Sequence, residues 1–181
     1  MTLLGVPQDL PPLPTSCRVT VLVDADALSH GAAEGSSRAR VSDEVFGMYA
    51  NRALVAALDL AHGEQHRVTV RYAASTETAA HHLRVAAEAP SNTWLFCRGI
   101  DGADHALLAE LLQIAAKLRC ADGKSCHAVV LVGQDHIYAP AVRRLRLLGC
   151  PTWVLQPGRY ISADLYKAAC AVTRLTSDLA A

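Results

Sequence analysis

The chain has 181 residues, of which 51% are hydrophobic and 19% are charged, a composition that excludes an intrinsically disordered protein and fits one globular domain. Aromatic residues make up only 5%, so the core is expected to be aliphatic. Lysine plus arginine equals aspartate plus glutamate at 17 each, which leaves no net charge. The chain therefore lacks the overall basic character of many nucleic-acid binders.

The sequence shows no targeting or membrane signal. No apolar stretch approaches the roughly 20 residues that a transmembrane helix needs, and the N-terminus lacks a basic leader followed by an apolar core. The six cysteines are spread through a chain long enough to fold without disulfides. These features predict a reducing, cytoplasmic location and no membrane partner. Cys120 and Cys126 bracket a turn, where a local disulfide and a zinc site both stay open as alternatives.

Strand-like and helix-like patterns alternate along the chain. Proline-rich residues 1–16 predict an extended N-terminal arm, and residues 17–181 predict a single domain. Strands are predicted at Arg18–Asp24 and at residues 67–73, 93–97, 128–132 and 151–155. A polar loop is predicted at residues 25–40, and helices at residues 42–62, 76–89, 104–118, 139–148 and 162–175. This order predicts a three-layer α/β/α fold around a central, mainly parallel sheet of about five strands.

Acidic residues stand where the predicted strands end. Asp24 closes the first strand and Asp26 follows it, while Asp135 comes just after the fourth strand. Asp104 opens the helix after the third strand, and Glu110 lies about two turns further on. The carboxyl ends of parallel strands meet at one edge of a sheet, where crowded carboxylates repel one another unless a cation neutralises them. The pattern favours a hard divalent metal ion.

Two of these segments carry a family resemblance. After the third strand, Asp104 and Glu110 occupy a helix similar to the Asp-x-x-Leu-x-x-Asp-Leu-Leu helix of NYN domains. After the fourth strand, Asp135, Tyr138 and Pro140 stand where the Ser-Gly-Asp-Ser-Asp-Phe-x-Pro motif of that family has Asp, Phe and Pro. Over about residues 18–175 the chain resembles the NYN domains, which belong to the PIN-like nuclease superfamily.

The resemblance implies a PIN-like, Rossmann-like fold and a nuclease that hydrolyses phosphodiester bonds, mainly in RNA, with Mg²⁺ or Mn²⁺ as its cofactor. It implies that Asp24, Asp104 and Asp135 are catalytic metal ligands, and Asp26 and Glu110 are further candidates for the same metal site. RNA is then the expected substrate. Which RNA is cut, whether the cut is internal or terminal, the number of metal ions and a homo-oligomeric state are all left open.

Departures from the family pattern support other interpretations. Ala27 stands where the family has Asn, and Ile137 replaces the second Asp of the strand-four motif. A degenerate domain that binds RNA or a protein without cleavage is therefore one alternative. Another is a haloacid-dehalogenase-like phosphatase that uses Asp24 and Asp26, although Ala139 occupies the position of its last acid.

Overall fold

The computed structural model of the chain describes residues 17–34, 47–48, 51–53, 55–56, 67–75, 93–96, 98–99, 101–120 and 126–175. The strands among them are β1 Arg18–Asp24, β2 Arg67–Ala74, β3 Thr93–Phe96, β4 His127–Val132, β5 Thr152–Gln156 and β6 Ala171–Arg174. The helices are α1 Ala25–Glu34, α2 Gly102–Cys120, α3 Ala139–Leu147 and α4 Ala163–Ala168, with a 3-10 turn at His136–Tyr138. Residues 47–48, 51–53 and 55–56 are also helical.

The strands form one sheet in the order β3-β2-β1-β4-β5-β6, and every neighbouring pair is parallel. The predicted three-layer α/β/α fold with a parallel sheet is thus confirmed. β1 pairs with both β2 and β4. β2 and β3 lie on one side of β1, and β4 to β6 lie on the other, so the strand order reverses between β1 and β4. In open parallel sheets, ligands bind in the crevice outside the carboxyl ends of such a pair of strands.

Side chains of β1 alternate between two cores, one on each face of the sheet. Val21 and Val23 point into the first core, where Leu28 of α1 also packs. Leu22 points into the second core and packs with Leu107 of α2 and with residues of α3 and α4. Burial on both faces explains why the central strands read as unbroken apolar runs rather than as alternating ones.

The prediction of a polar loop over residues 25–40 is wrong at its start, because α1 occupies Ala25–Glu34. Two features that a loop interpretation overlooks stabilise this helix. The Asp24 carboxylate accepts a hydrogen bond from the Ala27 backbone N–H, as a residue before a helix commonly does. Leu28 and Ala32, one turn apart, are fully buried against the sheet, so the helix has an apolar stripe despite its polar residues.

The predicted last helix, residues 162–175, is wrong in its second half. The helix ends at Ala168, and Ala171–Arg174 form β6, which extends the sheet beside β5. Ser162 caps the helix, since its hydroxyl accepts a hydrogen bond from the Leu165 N–H. The short run of four residues pairs along one edge of β5, a tertiary contact that local periodicity does not reveal.

The remaining sequence predictions concern the N-terminal arm, the helix at residues 76–89, the cysteines and membrane spans. The arm at residues 1–16 and the helix at residues 76–89 lie outside the described residues. Of the alternatives left open for Cys120 and Cys126, the local disulfide does not form: Cys126 is bonded to Cys17, and Cys120 is a free, exposed thiol. Among the described residues, no helix combines the length and the apolarity that crossing a membrane requires.

Candidate functional site

An acidic cleft of about 350 Å³ opens at the carboxyl edge of the sheet, above β1 and β4. Its lining residues come from β1, α1, α2 and the loops after β2 and β4. They are Asp24, Asp26, Ala27, His30, Ser75, Asp101, Asp104, Gln134 and Asp135. Of the described residues that line it, none is lysine or arginine, so the aspartates set the sign of its potential.

Asp24 is the most deeply buried acid of the cleft, with 4% of its surface exposed. It is the last residue of β1, so its side chain emerges at the point where the strand gives way to α1. One carboxylate oxygen, Oδ1, accepts the Ala27 N–H at 2.9 Å, and the other, Oδ2, accepts the Tyr138 hydroxyl at 3.0 Å. Both oxygens are therefore engaged by the protein, which fixes the orientation of the group.

The Tyr138 hydroxyl links Asp24 to Asp104, a residue of the first turn of α2. It lies 2.5 Å from Asp104 Oδ1, while it also contacts Asp24 Oδ2. A hydroxyl carries one proton and can donate it to only one of the two carboxylates at a time. The second close contact requires either a proton on one carboxyl group or a positive charge nearby.

The pKa values of these groups reflect their crowding. Burial raises the pKa of Asp24 to about 7; the Ala27 N–H counteracts this rise, and the Asp104 carboxylate adds to it. Burial likewise raises the pKa of Asp104, opposed by the Tyr138 hydroxyl. Burial and the two carboxylates raise the pKa of Tyr138, so its hydroxyl stays protonated and is available as a donor. Neutralisation of the pair, by a proton or a cation, is thus favoured.

Asp26 faces the same cleft but is bound to the end of β2. Its Oδ2 accepts hydrogen bonds from both the backbone N–H and the hydroxyl of Ser75, the first at 3.0 Å. This contact ties the first turn of α1 to the loop after β2, across a gap of 49 residues in the chain. Sequence reasoning assigns Ser75 no role at the cleft, because its contact with Asp26 joins distant parts of the chain and leaves no local signal.

Asp135 stands at the mouth of the cleft and is exposed. Its Oδ1 accepts the Ile137 N–H at 3.1 Å and thereby caps the 3-10 turn. The same oxygen lies 2.6 Å from Nδ1 of His136. Asp135 thus joins Asp24 and Asp104 at one cleft, as the strand-end pattern predicts, but part of its coordinating capacity is already used.

Glu110 does not join the other acids. It does not line the cleft, and its carboxylate forms an ion pair with Arg71 of β2 at 3.1 Å. Six residues after Asp104 correspond to about 600° of helical rotation, so the two side chains leave α2 in different directions. Asp101 lies nearer, at the cleft, and its charge contributes to the raised pKa of Asp104.

Gln134 connects the cleft to the loop after β5. Its side-chain Oε1 accepts the Gly158 N–H at 2.9 Å, and its backbone carbonyl accepts the Ser162 N–H at 3.0 Å. A Cβ at Gly158 would displace the end of the Gln134 side chain, so glycine at this position favours the contact. The loop that follows β5 is thereby held against the wall of the cleft.

A divalent cation fits this arrangement in one specific way. Among the described residues, no three His, Cys, Asp or Glu side chains converge closely enough to enclose a metal ion. Asp24 and Asp104, however, present hard carboxylate oxygens that contact one shared hydroxyl. Mg²⁺ commonly uses one or two protein carboxylates and keeps several waters. The pair therefore suits a largely hydrated Mg²⁺ or Mn²⁺ ion, with Asp135 as an outer neighbour.

Comparisons with known proteins bear on the fold alone. No protein-family model matches the chain, and no curated protein matches it. The crystal structure of a protein of unknown function from Vibrio parahaemolyticus is similar to it, with a TM-score of 0.55 and 16% sequence identity, over 92% of this chain and 97% of that one. At such low identity, the likeness supports the three-layer fold and carries no information on activity.

Proposed function

We propose that the chain is a Mg²⁺- or Mn²⁺-dependent nuclease that hydrolyses phosphodiester bonds in RNA. The observation that carries the proposal is the pairing of Asp24 and Asp104, whose carboxylates share the Tyr138 hydroxyl at the edge where the sheet reverses its strand order. RNA as the substrate rests on the family resemblance, and a homo-oligomer stays possible. A cytoplasmic location rests on the sequence alone, and the Cys17–Cys126 disulfide is more typical of an oxidising compartment.

The chemistry assigned to each residue follows from its position. Asp24 and Asp104 are the direct carboxylate ligands, because they are half or fully buried and face each other. A bound divalent cation supplies a water of lowered pKa and stabilises the charge that develops on the phosphate. Asp135, exposed at the mouth with His136 beside it, can hold or move a proton at Oδ1. Asp26 and Ser75 keep the opposite wall in place.

Cleavage of a fluorescently labelled RNA, with and without Mn²⁺, tests the proposal. We expect Asp24→Asn and Asp104→Asn each to lower the rate by at least about 100-fold, as loss of groups that stabilise the transition state commonly does. Glu110→Gln is the matched control, because it also neutralises an acid of α2 but lies outside the cleft. Equal rates for the parent and for both Asn variants, in nuclease-free preparations, would contradict the assignment.

One observation favours a second candidate, a domain that binds RNA or a protein without cutting it. The described residues offer two closely paired carboxylates rather than three, and Asp135 is engaged by Ile137 and His136. Weak metal binding follows if only two ligands are direct. Calorimetric titration with Mn²⁺ separates the two candidates, since absence of binding at millimolar metal together with retained RNA binding supports the non-cleaving domain.

The phosphatase alternative fits the geometry less well. It requires an Asp24 oxygen to form a bond to phosphorus, so a phosphate group, which is much bulkier than a cation, would have to reach a side chain that is only 4% exposed. It also requires Asp26 as the acid or base, but the Asp26 carboxylate accepts two hydrogen bonds from Ser75. Hydrolysis of an aryl phosphate that is lost in Asp24→Asn would favour this alternative.

A further inference from the structure

Tyr138 has a position that the proposed reaction does not by itself explain. Its side chain is completely buried, at 0% exposure, and packs in the second core among residues of α2 and α3. It does not line the cleft, whereas both of its hydrogen-bond partners, Asp24 and Asp104, do. The hydroxyl therefore meets the two carboxylates from the interior of the protein and leaves their cleft side accessible to a ligand.

The local backbone does not set the spacing of the two carboxyl groups. Asp24 ends β1, and Asp104 lies in the first turn of α2, 80 positions later in the chain. One protonated group of the pair can hydrogen-bond directly to the other, whereas two ionised carboxylates, as a bound cation requires, repel each other. The hydroxyl, 3.0 Å from one oxygen and 2.5 Å from the other, is the described group that contacts both.

The hydroxyl is also a feature of this chain rather than of the motif it resembles. The NYN motif has Phe at the corresponding position, which fills the core equally well but cannot donate a hydrogen bond. Gly133 lies next to the ring: a Cβ there would come within 3.2 Å of Tyr138 Cε2. Glycine at this position leaves the ring the room to lie where its hydroxyl reaches both acids.

We infer that Tyr138 is a positioning residue whose hydroxyl holds the carboxylates of Asp24 and Asp104 at the spacing at which they jointly bind a divalent cation. The inference rests on the proposed function, since it presupposes that the cleft binds such an ion. Outer groups that hydrogen-bond to metal ligands orient them, and their removal typically weakens metal affinity by roughly 10- to 100-fold. The same loss is expected here.

Calorimetric titration of the full chain with Mn²⁺ tests the role without using activity. We expect Tyr138→Phe to bind Mn²⁺ roughly 10- to 100-fold more weakly than the parent. Tyr72→Phe is the matched control, because it removes the hydroxyl of another buried tyrosine that does not line the cleft; its affinity should equal that of the parent. Equal or tighter binding by Tyr138→Phe overturns the inference, and tighter binding would mean that the hydroxyl competes with the ion.

A double-mutant cycle separates positioning from a general structural effect. In an Asp104→Ala background, which removes the acceptor of the Tyr138 hydroxyl, the loss caused by Tyr138→Phe should shrink to less than about threefold if Tyr138 acts through Asp104. A general structural effect would persist undiminished and overturn the inference. If Tyr138→Phe fails to fold, Gly133→Ala takes its place, because it keeps the hydroxyl but displaces the ring, and unchanged affinity there overturns the inference. If the parent protein binds no Mn²⁺, both the proposed function and this inference are overturned. If the parent and Tyr138→Phe bind Mn²⁺ equally well, the inference alone is overturned.

Discussion

Gly133 and Tyr138 pack against each other so closely that a Cβ at position 133 would lie 3.2 Å from Cε2 of the tyrosine ring. The ring is fully buried, so it has little space into which to move. We expect Gly133→Ala to lower the free energy of unfolding by about 1 to 3 kcal/mol, the usual cost of an extra methyl group in a packed core. Urea unfolding measures this change in the free energy of unfolding. Gly149→Ala is not a matched control, because Gly149 has a φ of 75° and alanine there adds backbone strain.

The control for this measurement is the effect of Gly133→Ala in a Tyr138→Phe protein. The ring atom that meets the new methyl group is present in both Tyr and Phe, so the overpacking is the same. The destabilisation by Gly133→Ala should therefore persist in this background. A Gly133→Ala protein as stable as the parent would show that the ring can shift freely, contrary to its tight packing.

Ser75 is expected to stabilise the junction between α1 and β2. Its hydroxyl and its backbone N–H both donate to Asp26 Oδ2, and Ser75→Ala removes the first of these hydrogen bonds. A hydrogen bond to a charged group contributes about 1.5 to 3 kcal/mol, so a loss near the lower limit is expected at this half-buried site. Chemical denaturation provides the measurement. Ser29→Ala, on the same helix α1, should change the stability by less than about 0.5 kcal/mol.

Asp101 adopts a left-handed backbone conformation, with φ of 59°, in the turn that precedes α2. Asn and Gly accept this conformation more readily than other residues. Asp101→Ala should therefore lower the stability by about 1 kcal/mol, whereas Asp101→Asn should remain within about 0.5 kcal/mol of the parent. Thermal melts of the variants decide the matter, and equal melting temperatures for the Ala and Asn variants would speak against strain at this turn.

The lowered pKa of His127 predicts that the protein becomes less stable in mild acid. Burial, followed by the charges of Arg18 and Lys117, lowers its pKa to about 4, while the unfolded chain has the ordinary value of 6.5. The folded state thus favours the neutral ring, which pairs with the Thr20 hydroxyl at 2.9 Å. Its contribution is fully present above pH 6.5 and is lost as the pH falls from 6.5 towards 4.

Urea unfolding at several pH values between 7 and 4 measures this dependence. His127→Gln cannot take up the proton, so its free energy of unfolding should change less over this interval than that of the parent. His105→Gln, which replaces an exposed histidine of α2, should retain the slope of the parent. Identical slopes for the parent and for His127→Gln would exclude His127 as the source.

The Cys17–Cys126 disulfide joins residues 109 positions apart, at the amino ends of β1 and β4. In the chain-entropy model, closing a loop of this length lowers the entropy of the unfolded chain and thereby stabilises the folded state by about 4 to 5 kcal/mol. We expect a reducing agent, or Cys17→Ser, to lower the free energy of unfolding by up to this amount. Cys120→Ser, at a free exposed thiol, serves as the control and should have no such effect. Stability unaffected by reduction would contradict the expectation.

Much of the fold could be predicted because the relevant signals are local. β1 has the predicted bounds Arg18–Asp24, and α2 and α3 begin and end within two residues of their predicted ends. Their apolar runs are long and end in turn residues, so the local pattern and the buried environment agree. β6 was missed because four residues after a short helix take strand form only through pairing with β5.

For the candidate site, the sequence alone determined which acids stand at strand ends, and therefore that Asp24, Asp104 and Asp135 share one edge of the sheet. Only the tertiary structure decided which of them meet. Asp24 and Asp104 come together through the Tyr138 hydroxyl, whereas Glu110 pairs with Arg71 and Asp135 with His136. The physical reason is that strand order brings residues to an edge, while side-chain packing and hydrogen bonds between distant segments set their distances.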